Sequence, residues 1–267
     1  MISRNRIYTA GLFTLLITPF IFPSCAPVTP KQPPRILDDR EIADFISMAR
    51  AQDAHVRTLI SAGRLKIRKD NSENDANVLM VGERTLDKIK IEITHPWGRP
   101  VVHILVDGKR VDMVSFVDKR FYFGRLGTFD PTGLFPGGFD FDQIWAFARA
   151  FPVLRAHHRV VLSKNNQIAL LNSTGETVQV VDFCGPSNLP CRVFSPQQGS
   201  SLFFSRFQQQ EEILYARNVE FRASGVESAL GMEFKQVVFN ETIPPNVFEL
   251  VKPEGFQSVP LRGLNTD

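Results

Sequence analysis

The chain has 267 residues, with 31 basic against 28 acidic side chains for a net charge of +3, a balance that argues against a nucleic-acid partner. Its length suits one large β-domain or two small ones, and a single domain is favoured. Phe outnumbers Tyr and Trp by 23 to 3 and 2. Phe brings no polar group that needs a partner, so these rings make dry surface, either a solid core or the wall of a cavity.

At the N-terminus, Arg4 and Arg6 precede an apolar run from Ile7 to Phe22, broken by Thr9, Gly11, Thr14, Thr18 and Pro19. This is the pattern of an export signal over residues 1–24, too interrupted to span a membrane as a helix. Without Arg4 and Arg6 the basic residues fall to 29 against 28 acidic, a net charge of +1. The run stops at Ser24 and Cys25, and the segment resembles a bacterial lipoprotein signal. That resemblance implies cleavage before Cys25 and acylation of its thiol and amine, with Ala26 at the second mature position permitting sorting to the outer membrane. Acyl chains anchor a protein without any spanning helix. Residues 25–37 are proline-rich and read as an extended tether.

Residues 38–262 read as one domain. Ile42, Phe45, Ile46, Ala49, Val56, Leu59 and Ile60 form a helical stripe, with Asp38 as N-cap and Glu41 three residues on. From Gly63 the period becomes two: Leu65, Ile67, Ile89, Ile91 and Ile93 alternate with charged residues, as in half-buried antiparallel strands. Further strands are predicted around 76–85, 101–107, 110–117 and 120–126, with Asp107-Gly108 as a hairpin turn. A break over 127–140 leads to a short helix over Phe141–Phe151, capped by Asp140 with Gln143 and stopped by Pro152. Seven more strand-like segments follow, for eleven to thirteen strands and two helices in all. The predicted class is mainly β: a strongly curved antiparallel sheet forming an open, incomplete barrel with a few covering helices, a β-sandwich being the competing architecture.

Cys184 and Cys191 flank a Gly-Pro turn and, in an oxidising periplasm, read as a hairpin-closing disulfide. No nucleophile elbow, zinc motif or phosphate loop is present in the sequence. His55, His95, His103, His157 and His158 lack metal-ligand spacing. His157 and His158 are expected on a strand, pointing to opposite faces. Asp140 and Asp142 fit helix capping better than acid-base chemistry. No enzyme activity, metal or cofactor is expected.

At residues 92–116 and 133–152 the chain resembles the outer-membrane lipoprotein receptor LolB and its periplasmic carrier relative LolA. The resemblance rests on Pro96, Trp97 and Gly98 between two strands, then Pro136, Trp145, Phe151 and Pro152, with "GRLKI" at 63–67 and "IPPNVFEL" at 243–250. It implies an incomplete barrel with a helical lid and a hydrophobic cavity for acyl chains. The Pro96-Trp97-Gly98 loop would then insert cargo into the membrane, while Phe121, Phe123, Ile89, Ile91, Ile93 and Trp145 would line the cavity. The expected partners are acylated lipoproteins or lipids, the membrane through a lipid anchor, and a LolA-type carrier, at the periplasmic face of the outer membrane. The chain departs from the pattern in its greater length and in the Cys184–Cys191 loop. The alternative function is a non-catalytic envelope scaffold on the same fold, its barrel a filled core.

Overall fold

The structure, a computed structural model, describes residues 37–69, 72–126, 139–163, 166–224 and 228–261. The expectations for the signal, Cys25, most of the tether and Pro136 fall outside these residues.

Both helices begin with the capping boxes that the sequence predicts. In α1 (Asp39–His55), the Asp38 carboxylate accepts from the Glu41 amide at 2.8 Å and the Glu41 carboxylate accepts from the Asp38 amide at 3.0 Å. In α2 (Phe141–Arg149), Asp140 and Gln143 exchange the same bonds at 2.9 and 3.3 Å. Each pair satisfies amides that a helix start leaves without partners. The predicted stripe overran the first helix. Val56 is already the extended C-cap of α1, and Leu59 and Ile60 belong to the following strand. Apolar spacing of three and four residues suits the end of a helix and the start of an alternating strand equally, so the pattern could not place the boundary. Likewise α2 stops at Arg149, because Ala150 takes the left-handed conformation (φ 60°) that closes its last turn.

Among the described residues fourteen strands make one sheet. They are β1 (Thr58–Lys69), β2 (Ser72–Glu83), β3 (Lys88–Thr94), β4 (Pro100–Asp107), β5 (Arg110–Ser115), β6 (Arg120–Arg125) and β7 (Arg159–Ser163). The rest are β8 (Gln167–Leu171), β9 (Thr177–Cys184), β10 (Leu189–Ser195), β11 (Ser200–Gln210), β12 (Ile213–Ala223), β13 (Ser228–Phe239) and β14 (Gln257–Pro260). Their order is β14-β6-β5-β4-β3-β2-β1-β13-β12-β11-β10-β9-β8-β7, and the sheet is open, with β14 and β7 at its two edges. Every pairing is antiparallel except β14 with β6. Strand β14 escaped the sequence reading, since four residues ending in proline carry no usable alternation.

The register lines apolar residues across one face. Met80, Ile91, Ile104, Met113 and Tyr122 form one row through β2 to β6. Leu162, Ile168, Val181, Val193, Leu202, Phe221 and Leu230 form another through β7 to β13. This inner face carries both helices. On the outer face the chain after β13 lays Ile243 and Phe248 against Val81 and Leu105.

Cys184 and Cys191 are disulfide-bonded across the β9–β10 hairpin, their Cα atoms 5.6 Å apart. That hairpin supports the start of α1 through the buried Asn166. The Asn166 side-chain amide donates to Asn188 at 3.0 Å, and its side-chain oxygen accepts from the Leu37 amide at 2.7 Å. Replacing both cysteines by serine is expected to cost about 2–3 kcal/mol in urea unfolding, the loop entropy of a short closed loop.

Candidate functional site

Helix α2 fills the centre of the inner face. A Cβ on Gly82 would stand 2.8 Å from the Trp145 ring, so glycine at this point of β2 lets the helix settle onto the sheet. Phe139 stacks on Phe221 with centroids 3.8 Å apart, Gln143 donates to Ser200 at 2.8 Å, and the Ala150 carbonyl accepts from the Ala216 amide at 2.7 Å. Ile89, Ile91 and Ile93 are buried on this face. Trp145 is buried too, but it belongs to the helix that covers the wall. Phe121 and Phe123 are placed differently from the expectation. They do share one face of β6, but the inner face of that strand is the face of Tyr122. Phe123 is 38% exposed and cannot line the interior. Alternation alone gives two faces and does not say which is inside.

Charged side chains fasten α2 to α1. Arg149 is fully buried and donates to Asp53 at 3.1 Å. Its remaining donors Nε and Nη2 have no partner, and the guanidinium lies 5.2 Å from the centroid of the Phe151 ring. Burial pushes Arg149 down to about 10, with Asp53 opposing that shift and Arg84 adding to it. Arg84 pairs with Asp142 at 2.8 Å and Asp53 at 3.7 Å and lies over the rings of Phe141 and Trp145.

The cover ends one strand short of the edge. Ile168 and Leu170 on β8 are completely buried, whereas their cross-strand partner Leu162 on β7 is 37% exposed and Val160 is half-buried. These two residues face Ile42, Ala43 and Ile46 of α1 across a groove of about 790 Å³, within the usual size range of ligand sites. Its polar residues are Asp39, Ser47, Arg50, His157 and His158. The two histidines are not on a strand with opposed faces, as expected, but precede β7, and both line the groove. Nη2 of Arg50 lies 2.9 Å from Nε2 of His157, whose Nδ1 lies 2.7 Å from the Arg155 carbonyl. A guanidinium only donates, so Nε2 accepts and Nδ1 carries the ring proton. No local signal could have paired Arg50 with His157, 107 residues apart.

The predicted Pro96-Trp97-Gly98 loop is a tight turn between β3 and β4. Gly98 (φ 89°) donates to the His95 carbonyl at 2.8 Å, and the Asn77 side chain braces the carbonyls of His95 and Pro96. Trp97 is 73% exposed and stacks on His95, with centroids 4.9 Å apart. The sequence reading missed Val117, 74% exposed in the neighbouring β5–β6 turn. Strand direction alternates along the antiparallel order, so the β3–β4 and β5–β6 turns lie on the same rim of the sheet. Among the described residues no helix is long and apolar enough to cross a membrane, and no group of side chains is placed to hold a metal.

No family model matches the chain, and no curated protein sequence matches it. Solved structures do. A LolA superfamily protein from Nitrosomonas europaea matches with a TM-score of 0.52 at 11% identity, over 77% of this chain and 97% of the other. A DUF1329 family protein from Desulfovibrio piger gives 0.51 at 12%, over 78% and 97%. A domain described as that of an outer membrane lipoprotein-sorting protein, from Vibrio parahaemolyticus, gives 0.50 at 10%, over 76% and 95%. The class is thereby defined at the level of fold: the chain has a LolA-like fold, an open curved sheet with helices on its inner face.

The ion pair should be needed to hold the helices together. Asp53→Ala strands a buried guanidinium and is expected to lower stability by about 2 kcal/mol in chemical denaturation. That is less than for a fully enclosed pair, because the Asp53 carboxylate keeps some water. Arg149→Met, which removes the charge and keeps the volume, should cost less.

Proposed function

We propose that this chain is an outer-membrane-anchored lipoprotein that takes an acyl chain of lipid or lipoprotein cargo into the groove between α1 and β7 and helps insert it into the membrane through the Trp97 turn. The observation that carries this reading is the inner apolar face left open at its last strand, where Leu162 and Val160 face Ile42 and Ile46. An apolar strip rimmed by polar side chains is the surface an acyl chain would cover, at about 25 cal/mol per Å² removed from water. The role named for the Vibrio neighbour, lipoprotein sorting, supports the same reading through the shared fold. Trp97 suits delivery, because an exposed indole on a braced turn favours the membrane interface. Handing over intact acylated cargo makes and breaks no covalent bond, so no enzyme activity is proposed. Acylated Cys25 supplies the anchor, and a LolA-type carrier is the natural donor of cargo.

One observation favours a second reading. Helix α2 packs the centre of the sheet solidly, as a scaffold with a filled core would require.

Ile46→Glu puts a charge among the apolar groove walls and is expected to weaken binding of a fluorescent acyl probe by more than tenfold, with circular dichroism unchanged because Ile46 is only half-buried. If the native protein, stripped of lipid, takes up no probe, the scaffold reading prevails.

Trp97→Glu should bind the probe normally yet fail to pass it to vesicles. Equal loss of uptake and delivery would remove the insertion role from Trp97. In cell fractionation, Cys25→Ser is expected to move the protein from the membrane to the soluble periplasmic fraction, and an unchanged distribution would exclude Cys25 as the anchor.

A further inference from the structure

Arg50 is the groove residue that the acyl-binding reading leaves without a task. It stands at one end of an apolar wall: Ile46, Ala43 and Ile42 lie four to eight residues before it on α1, so the wall begins about 6 Å and ends about 12 Å from Arg50 along the helix axis. Val160 and Leu162 line the opposite side. Among the described residues the charged or titratable groove residues at this end are Arg50, His157 and His158, whereas the carboxylate among them, Asp39, lies at the far end of α1. Among the described residues Arg50 is hydrogen-bonded to His157 and has no carboxylate in ion-pair range. One of its five N–H donors is engaged, which leaves an uncompensated positive charge and free donors in a planar fork. His157 is itself held by the Arg155 carbonyl, so it braces the guanidinium from behind.

We propose that the groove selects an acyl chain that ends in a carboxylate, its tail along Ile46, Ile42, Val160 and Leu162 and its head on Arg50. This rests on the acyl-binding reading and adds the head group to it. A carboxylate accepts two parallel hydrogen bonds from a guanidinium fork. It also carries a single negative charge, matching one uncompensated cation beside a neutral His157.

The test is titration calorimetry of the lipid-stripped protein with four probes of one chain length: dodecanoate, dodecyl phosphate, dodecanol and dodecyltrimethylammonium. Dodecanoate is expected to bind at least tenfold more tightly than dodecanol, and dodecyltrimethylammonium more weakly than either. Arg50→Gln should bring dodecanoate to the level of dodecanol without altering dodecanol itself, and Arg50→Lys should retain part of the preference. Unaltered dodecanol binding also shows that the variants fold. Equal binding of dodecanoate and dodecanol by the native protein, or an undiminished preference in Arg50→Gln, overturns the inference while the acyl-binding reading stands. Tighter binding of dodecyl phosphate than of dodecanoate overturns the choice of carboxylate and assigns the site to phosphate heads. If dodecanol and the charged probes all fail to bind, the acyl-binding reading has failed and this inference falls with it.

Discussion

A sheet of fourteen strands with one apolar face must hide that face, and among the described residues two α-helices, of 17 and 9 residues, lie on its inner side to do so. A helix is about 10 Å wide and strands are about 4.8 Å apart, so each helix shields roughly two strands. Curvature brings the remaining strands against the same two helices. Coverage still runs out at β7, where a fully buried Ile168 sits beside a partly exposed Leu162. The groove is the remainder of that mismatch, and its strand wall is apolar because Val160 and Leu162 continue the inward rows of the strands beside them.

The position of α1 as the second wall depends on α2. Arg149 reaches from the end of α2 to Asp53 near the end of α1, and Arg84 joins Asp53 to Asp142 at the start of α2. A buried guanidinium with only one donor engaged is a costly way to join two helices. Its geometric effect is to set their relative position from both ends of α2. At the other end of α1, Asn166 takes the Leu37 amide and is tied to the hairpin that carries the disulfide. One wall of the groove is thus held at both ends by polar contacts, and the other is the last strand in the order of the sheet.

The same arrangement explains how so distant a sequence shares its fold with proteins about one-tenth identical to it. The fold needs strands with one apolar face and helices with one apolar stripe, and many residue choices meet those two conditions. The groove end demands more: a guanidinium, an imidazole and a backbone carbonyl in one chain of contacts.

The sequence by itself determined the class of the protein and much of its local structure. Alternation at Leu65, Ile67, Ile89, Ile91 and Ile93 marked strands with one buried face, and Asp38 with Glu41 and Asp140 with Gln143 marked helix starts, because these signals are carried by residues at most a few positions apart. The Pro96-Trp97-Gly98 turn was legible for the same reason. Only the tertiary structure decided which face was inward, so that Tyr122 rather than Phe121 and Phe123 entered the core, and where α1 gave way to β1. It alone placed Trp145 as part of a plug, set Arg149 against Asp53, and brought Arg50 to His157 across 107 residues to end an apolar groove. Those outcomes depend on which strands pair and where the helices come to rest, and that is a property of the whole sheet that no short window of sequence contains.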